Sequence, residues 1–216
     1  MLVTLNGVDE TGKTTVINGL LRYNKSKIQI TPRITNFDAR WGIIEKDFYF
    51  DKNNVPKFMD IMSKSITLLA DYVSHLPDNS IYILDRGLMT IIASFKGFLR
   101  LKTNLSAKDV NDYLLEYCTK QNMNLEYPKE SASILLRPYK NHDKNVNFTI
   151  GRILQQEPNK PKSFIEVYSK YQKFFNEELE KYNDRFTHVI DCKKSVENVR
   201  NLAVQAINSR HQIKVR

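Results

Sequence analysis

The chain has 216 residues and a formal net charge of +9, from 33 Lys and Arg against 24 Asp and Glu. Apolar residues make up 41% and charged residues 26%, a composition typical of globular proteins that excludes a disordered chain. The length predicts a single domain over 1–216. No uncharged apolar run approaches the roughly 20 residues of a membrane span.

The cysteines and histidines form no recognisable framework. Cys118 and Cys192 lie far apart, and the four histidines are scattered singly, so neither disulfides nor zinc chemistry is supported. The first residues, MLVTLNGVDE, lack a basic leader and a cleavage site. We therefore expect a cytoplasmic protein in a reducing compartment.

The basic charge suggests polyanionic partners: phosphate-bearing small molecules, nucleic acid or an anionic membrane. A solvated basic surface explains the same charge equally well, because net charge governs solubility and steering rather than fold. We expect nucleotides as the partners, with nucleic acid an open alternative and no membrane association.

Strand-like runs and helical patterns alternate along the chain. Short β-rich runs predict strands over 1–6, 27–31, 80–84, 131–136 and 187–192. Apolar residues at helical spacing predict helices over 13–23, 55–75, 89–99, 106–121, 162–182 and 196–207. This order predicts an α/β fold with a doubly wound parallel β-sheet of about five strands, flanked by helices. Ligands of such sheets bind at the carboxyl ends of the strands.

The segment 139–161 interrupts this order. It is polar, broken and basic, and we interpret it as a mobile loop or lid.

A phosphate-binding motif follows the first predicted strand. Residues 7–14 read GVDETGKT and match G-x-x-x-x-G-K-[ST] at every fixed position. The motif also opens a predicted helix, so its glycines can turn backbone N–H groups towards a phosphate at the positive end of the helix dipole. Lys13 would reach the β- and γ-phosphates and Thr14 would ligate Mg²⁺. The predicted nucleotide-binding residues are Gly7, Val8, Asp9, Glu10, Thr11, Gly12, Lys13, Thr14 and Thr15.

This motif predicts binding of nucleotide phosphates together with Mg²⁺. By itself it does not separate a kinase from a GTPase or a motor ATPase. The guanine-reading pattern N-K-x-D is incomplete, because Asn24-Lys25 and Asn159-Lys160 both lack the aspartate.

A second set of charged residues falls at the ends of two other predicted strands. Asp85 and Arg86 follow the strand 80–84; the aspartate would hold Mg²⁺ or receive a sugar hydroxyl, and the arginine would clamp a second phosphate. A surface ion pair is the alternative. Arg33 follows Pro32 at the end of the strand 27–31, where a solvated arginine is as good an interpretation as a phosphate ligand.

The acceptor can be argued from these residues. A phosphate acceptor is already largely ionised near neutral pH and needs arginines to hold it. A hydroxyl acceptor needs a carboxylate to take its proton. Arg33 and Arg86 favour a phosphate acceptor, whereas Asp9 and Asp85 keep a hydroxyl acceptor open.

These motifs resemble those of the thymidylate kinase family of nucleoside monophosphate kinases. The phosphate loop of that family reads like G-x-D-x-x-G-K-[ST]-T, and residues 7–15, GVDETGKTT, fit throughout. The pair Asp85-Arg86 looks like the family's Asp-Arg signature, and residues 32–35, PRIT, look like its Pro-Arg element. The order of elements agrees over nearly the whole chain.

The resemblance implies a P-loop kinase-like three-layer sandwich with a lid, an ATP-dependent nucleoside monophosphate kinase and, by analogy, a homodimer. Lys13, Arg86 and Asp9 would be catalytic, with Asp9 approaching the acceptor sugar or its phosphate. Arg33, Asp85 and Arg86 would bind the acceptor, and Thr14 and Asp85 would hold the metal.

The lid around 139–161 would add a further arginine for the ATP phosphates, and Arg152 or Arg137 is the candidate.

The chain departs from the family pattern around the base. Gly87 stands where an aromatic residue usually follows Asp-Arg, Leu68 falls near the position of a thymine-stacking phenylalanine, and residues 70–72, ADY, replace a region that carries an arginine. The phosphate machinery is thus better preserved than the base-reading pocket, and the base stays open. A deoxynucleoside kinase of related fold, and a regulatory or nucleic-acid-associated nucleotide-binding protein without kinase activity, remain alternatives.

Aromatic residues give weaker indications. The helical stripe of Tyr168, Tyr171, Phe174 and Phe175 indicates core packing, and so does Trp41, although it could line an acceptor cavity. Further aromatic residues at Tyr23 and over 48–50 are interpreted as packing rather than base stacking, and the basic tail 210–216 as a frayed terminus.

Overall fold

A five-stranded parallel sheet forms the centre of the molecule. The structure is a computed structural model that describes residues 1–23, 27–41, 55–121 and 130–209. The strands pair in the order β2-β3-β1-β4-β5. Leu5 on β1 lies between Asp85 on β3 and Ile134 on β4, so the end of β1 adjoins the end of β3. The prediction of a doubly wound parallel sheet is confirmed, and the strands are β1 (Leu2–Asn6), β2 (Ile28–Ile30), β3 (Ile81–Asp85), β4 (Ala132–Leu136) and β5 (His188–Ile190).

Seven α-helices are present among the described residues. Within these residues, none of the helices has both the length and the apolarity needed to cross a membrane. Ser106 and Asp109 form a capping box at the start of the helix Ala107–Lys120. The helices are α1 (Lys13–Tyr23), α2 (Val55–Ser74), α3 (Leu88–Thr103), α4 (Ala107–Lys120), α5 (His142–Gln156), α6 (Lys162–Glu180) and α7 (Val196–Asn208).

The central strands are buried on both faces, which explains their continuous apolar sequences. Val3 and Leu5 of β1 pack with the helices α1 and α7 in one core. Leu2 of the same strand belongs to the opposite core, with Phe58 of α2 and Phe98 of α3. Three layers result, with α1 and α7 on one side of the sheet and α2, α3, α4 and α6 on the other.

Helices α3 and α6 approach each other closely at Gly97. A Cβ at this position would lie 2.8 Å from the backbone nitrogen of Phe175 and 3.0 Å from its Cα. Neither of these backbone atoms can rotate away. The glycine therefore sets the distance between the two helices.

The prediction of a broken loop over 139–161 is wrong, because most of this segment forms the helix α5. Asn141 caps the helix by accepting a 2.9 Å hydrogen bond from the backbone N–H of Lys144. The buried face of α5 carries polar residues: Asn145 donates to Asn176 Oδ1 on α6 over 3.2 Å, and Thr149 is also fully buried. These polar residues weaken the apolar period that Val146, Ile150 and Ile153 form on the same helix. Its role as a lid stays a prediction.

Candidate active site

The loop between β1 and α1 adopts the left-handed backbone that its glycines permit. The φ angles of Gly7, Glu10 and Gly12 are +134°, +59° and +84°. A Cβ on Gly7 would lie 2.5 Å from the carbonyl oxygen of Leu136 on β4, so this position requires glycine. The loop ends where α1 begins, so its amides meet the positive end of that helix.

Lys13 is buried beneath this loop, with 7% of its surface exposed. Its Nζ donates to the carbonyl oxygens of Gly7 over 3.0 Å and Val8 over 2.6 Å. Burial, together with the nearby charge of Arg86, lowers the pKa of Lys13 to about 8. Within the described part of the chain, the hydrogen bonds of the ammonium group go to neutral oxygens, so an anion bound in the loop would stabilise its charge.

Asp9 joins the loop to Arg86 and to helix α6. Its Oδ1 forms an ion pair with Nη2 of Arg86. Its Oδ2 accepts hydrogen bonds from the hydroxyl of Tyr168 over 2.9 Å and from Nε2 of Gln172 over 2.6 Å. Burial by itself would raise the pKa of Asp9, but Arg86, Lys13 and these two donors together lower it. Both oxygens of the predicted acceptor ligand Asp9 therefore already have partners in the protein.

Arg86 itself has an unusual backbone. Its φ angle is +76°, a conformation that costs a non-glycine residue about 1–3 kcal/mol and that clusters at functional sites. The backbone N–H of Arg86 donates to the carbonyl oxygen of Leu5 over 2.9 Å, which ends the β1–β3 pairing. The ion pair with Asp9 holds the guanidinium beside the phosphate loop.

Arg33 lies between the two predicted metal ligands. Its Nη2 is 3.1 Å from Oδ2 of Asp85 and 3.2 Å from the hydroxyl oxygen of Thr14, to which it donates. Oδ1 of Asp85 is buried and lacks a hydrogen-bond partner among the described residues. A hydroxyl and a carboxylate that already share one cation fit Mg²⁺, which binds through one or two protein oxygens plus substrate phosphates. The side chain of Arg33 is 55% exposed, so solvent screens its contact with Asp85.

One cavity of about 380 Å³ brings the predicted acceptor residues together. Asp9, Arg33, Asp85 and Arg86 all line it, at the end next to the phosphate loop. The remaining wall contains apolar and aromatic side chains. Its other described lining residues are Ile34, Thr35, Trp41, Phe58, Met62, Ile91, Ser94 and Tyr171.

The apolar wall contains residues that sequence reasoning assigned to the core. Trp41 packs edge-on against Phe58, with ring centroids 5.7 Å apart, and its Nε1 donates to Ser65 over 2.9 Å. Trp41 thus both packs and lines the cavity. Tyr171 is nearly fully buried, and its hydroxyl lies 2.6 Å from that of Ser94. The predicted core stripe on α6 therefore also forms part of the site.

The base-reading positions implied by the family pattern lie elsewhere. Leu68 is 39% exposed, and Tyr72 packs edge-on against Phe37, so neither belongs to the described cavity wall. Phe58 and Met62, about two to four turns earlier on α2, line the cavity instead. The side chain of Tyr23 and the residues Gly42, 48–50 and 210–216 lie outside the described residues.

Helix α5 lies over the phosphate loop. Thr149 donates to the backbone oxygen of Asp9 over 3.3 Å, and Gln156 donates to Glu10 Oε2 over 3.0 Å. Arg152 lies exposed on this helix, above the ring of Phe148 at 5.6 Å. Arg137 instead donates to Asn183 over 3.1 Å. Of the two predicted lid arginines, Arg152 is therefore the one carried by the helix that contacts the loop.

The close packing around position 87 explains why a glycine follows Asp85-Arg86. Its N–H donates to Oδ1 of Asn6 over 2.8 Å, and a Cβ there would collide with Oε1 of Glu130 and lie 3.1 Å from the Cβ of Thr4. Oε2 of Glu130 accepts a 2.7 Å hydrogen bond from the hydroxyl of Thr4. A larger residue after Asp-Arg therefore requires the side chain of Glu130 to move.

The sheet order, the phosphate loop and the flanking helices define the P-loop kinase fold. Solved structures with this fold include deoxyadenosine kinase from M. mycoides with bound dATP, which is 19% identical to this chain. The alignment has a TM-score of 0.70 and covers 96% of this chain and 100% of that kinase. Thymidylate kinase from Candida albicans is 17% identical with a TM-score of 0.60, over 98% of this chain and 93% of its own. No protein-family model matches the sequence, and no curated protein does. At these identities the likeness establishes the fold.

Proposed function

We propose that the protein transfers the γ-phosphoryl group of ATP to a (deoxy)nucleoside monophosphate, with a preference for thymidylate-like acceptors. The observation that carries this proposal is the position of Arg33 and Arg86. They come from the ends of neighbouring strands, β2 and β3, and line one cavity beside the phosphate loop. Two guanidinium groups in the wall of one cavity suit a phosphate better than a neutral hydroxyl.

The two substrates would meet at the carboxyl edge of the sheet. The loop amides and Lys13 would hold the β- and γ-phosphates of ATP, and Arg33 and Arg86 would hold the acceptor phosphate. An acceptor oxygen would then attack the γ-phosphorus while the bond to the β–γ bridging oxygen breaks and ADP leaves. Because the acceptor phosphate is already ionised, the protein needs no strong base for this step.

Thr14 and Asp85 would hold Mg²⁺, and the metal would neutralise charge on the ATP phosphates. Arg33 shares both of these residues in the structure, so it has to leave them when the metal binds. Arg33 and Asp85 both line the cavity. Release from Thr14 and Asp85 therefore makes the guanidinium available to the acceptor phosphate.

The apolar end of the cavity would take the nucleoside. Trp41, Phe58 and Met62 provide flat and flexible apolar surface there, and a base would stack on the aromatic rings. Ser94 and Tyr171 supply hydroxyl groups for polar contacts with the sugar or base.

A deoxynucleoside kinase is the second candidate. Asp85 lines the cavity and carries an oxygen without a hydrogen-bond partner among the described residues, and a carboxylate of this kind could take the proton of a sugar hydroxyl. Asp9 is less suited to this role, because Arg86, Tyr168 and Gln172 engage both of its oxygens.

An acceptor screen separates these candidates. The purified protein is mixed with ATP and Mg²⁺, and ADP release is followed with dTMP, dUMP, dGMP, dAMP, dCMP, the ribonucleoside monophosphates and the free deoxynucleosides. Turnover on a monophosphate supports the first proposal and names the base. Turnover on free nucleosides alone would refute it in favour of the second, and silence with intact ATP binding would favour a regulatory nucleotide-binding protein.

Variants test whether the named residues carry the reaction. Lys13→Ala should abolish transfer, whereas Lys57→Ala, at an exposed lysine, should leave it unchanged. Arg86→Ala should reduce acceptor use far more than ATP binding, with the exposed Arg22→Ala as its matched control. Full activity in Lys13→Ala would contradict the shared mechanism.

A further inference from the structure

We propose that Gln172 and Tyr168 are positioning residues, which act through Asp9 to hold Arg86 in place for the acceptor phosphate. The inference rests on the proposed function and extends it to helix α6, where no motif pointed. Neither residue belongs to the cavity wall, so any effect on the acceptor has to pass through a neighbour.

Tyr168 and Gln172 form a clamp, in which two donors from one helix hold the same carboxylate oxygen. They are four positions apart, so both lie on the same face of α6 and point at the same atom, Oδ2 of Asp9. Both side chains are largely buried, and Gln172 has no exposed surface at all. With Oδ2 bonded to the helix, the carboxylate presents Oδ1 to Arg86.

Two neighbouring cations make such a clamp necessary. The charges of both Arg86 and Lys13 act on Asp9, and either of them attracts the carboxylate. Two neutral donors on Oδ2 fix the plane of the carboxylate without adding a third charge. The ion pair between Asp9 and Arg86 is then maintained. Lys13 continues to donate to the carbonyl oxygens of the loop until the donor phosphates bind.

Only the nitrogen of the Gln172 side-chain amide makes a hydrogen bond among the described residues. Its Nε2 donates to Asp9, but its Oε1 is buried without a hydrogen-bond partner among the described residues. A buried unpaired carbonyl oxygen is unfavourable for folding. A leucine would avoid that cost, so the glutamine is explained by its donor and therefore by Asp9.

The first test compares kinetics. Gln172→Leu and Tyr168→Phe each remove one donor and should raise the KM for the acceptor roughly three- to tenfold, with the KM for ATP unchanged. Gln205→Leu and Tyr113→Phe make the same changes at exposed positions and should have no effect. In an Arg86→Ala background the effect of either variant should disappear, because its route runs through Arg86. An unchanged acceptor KM, or the same increase with and without Arg86, would overturn the proposal.

A second measurement is independent of turnover and so separates this inference from the proposed function. The ¹⁵Nε relaxation of Arg86, assigned by its loss in Arg86→Lys, reports how firmly the guanidinium is held. Gln172→Leu and Tyr168→Phe should increase its fast motion, while the two control variants should not. If no monophosphate is phosphorylated, the proposed function fails but this readout still decides the inference: an Arg86 that stays equally ordered in both variants refutes it. Tyr168→Phe provides the test should Gln172→Leu not fold.

Discussion

Lys13 holds a positive charge in a buried place, and this has a measurable effect on the stability of the nucleotide-free protein. Burial and Arg86 lower its pKa from 10.5 to about 8, so below pH 8 the folded protein carries an unfavourable charge. Between pH 8 and pH 10.5 the unfolded chain binds this proton more tightly than the folded one. The free energy of unfolding therefore gains a contribution as the pH rises through this window.

The size of the contribution follows from the pKa shift. The decrease from 10.5 to about 8 corresponds to about 3 kcal/mol, since one pKa unit is equivalent to about 1.4 kcal/mol. Lys13 is only 7% exposed, so solvent screening removes little of this value. Other groups titrate over the same range, and the effect has to be isolated by comparison with a variant that lacks the charge.

The assay measures urea unfolding of the wild type and of Lys13→Met from pH 7 to pH 10.5, without nucleotide. We expect the wild type to gain about 3 kcal/mol relative to the variant over this range. The exposed Lys57→Met serves as the control and should track the wild type. Pyrophosphate bound in the loop should reduce the gain, because an anion stabilises the charged lysine. Parallel stability curves for wild type and Lys13→Met would refute the electrostatic account of the loop.

Three further predictions concern packing and ligands. Gly97→Ala should lower the free energy of unfolding by about 1–3 kcal/mol, because its Cβ would meet the backbone of α6. Gly151→Ala, in a helix position with open space, should instead raise it by about 0.5–1 kcal/mol; equal urea midpoints would contradict the close approach. Trp41 is the single tryptophan, so a bound acceptor should change the intrinsic fluorescence, and an unchanged spectrum at saturation would place the acceptor elsewhere. Arg33→Ala should tighten Mn²⁺ binding in the presence of ADP, measured by electron paramagnetic resonance, and raise the acceptor KM roughly tenfold; unchanged Mn²⁺ affinity would show that Arg33 does not compete for the metal ligands.

Strands and most helices follow from local sequence because their burial is apolar. The run SIYIL predicts a strand over 80–84, and β3 forms at Ile81–Asp85. Helix α5 escaped prediction because its buried positions include Asn145 and Thr149, which pack by hydrogen bonding to α6 and the phosphate loop. Contacts of that kind depend on distant partners that a local pattern does not contain.

The candidate site also contains residues that local sequence predicted and residues that it did not. Residues fixed by strand ends and by the phosphate motif, such as Lys13, Asp85 and Arg86, were predicted because motif and topology place them at one edge of the sheet. Tyr168 and Gln172 were not, because their role depends on a carboxylate far away in the chain. A usable signal existed, since a glutamine four residues after a tyrosine inside an apolar helical stripe marks a buried polar group that needs a partner.

The contact between position 87 and Glu130 links the Asp-Arg motif to the segment leading into β4. With Glu130 bonded to Thr4, the space beside Gly87 is taken, and a larger residue requires that glutamate to shorten or turn away. We expect the two positions to covary among relatives of this chain. The glycine then compensates for Glu130 and does not indicate loss of the motif's function. A sequence pattern that requires an aromatic residue after Asp-Arg would miss such chains.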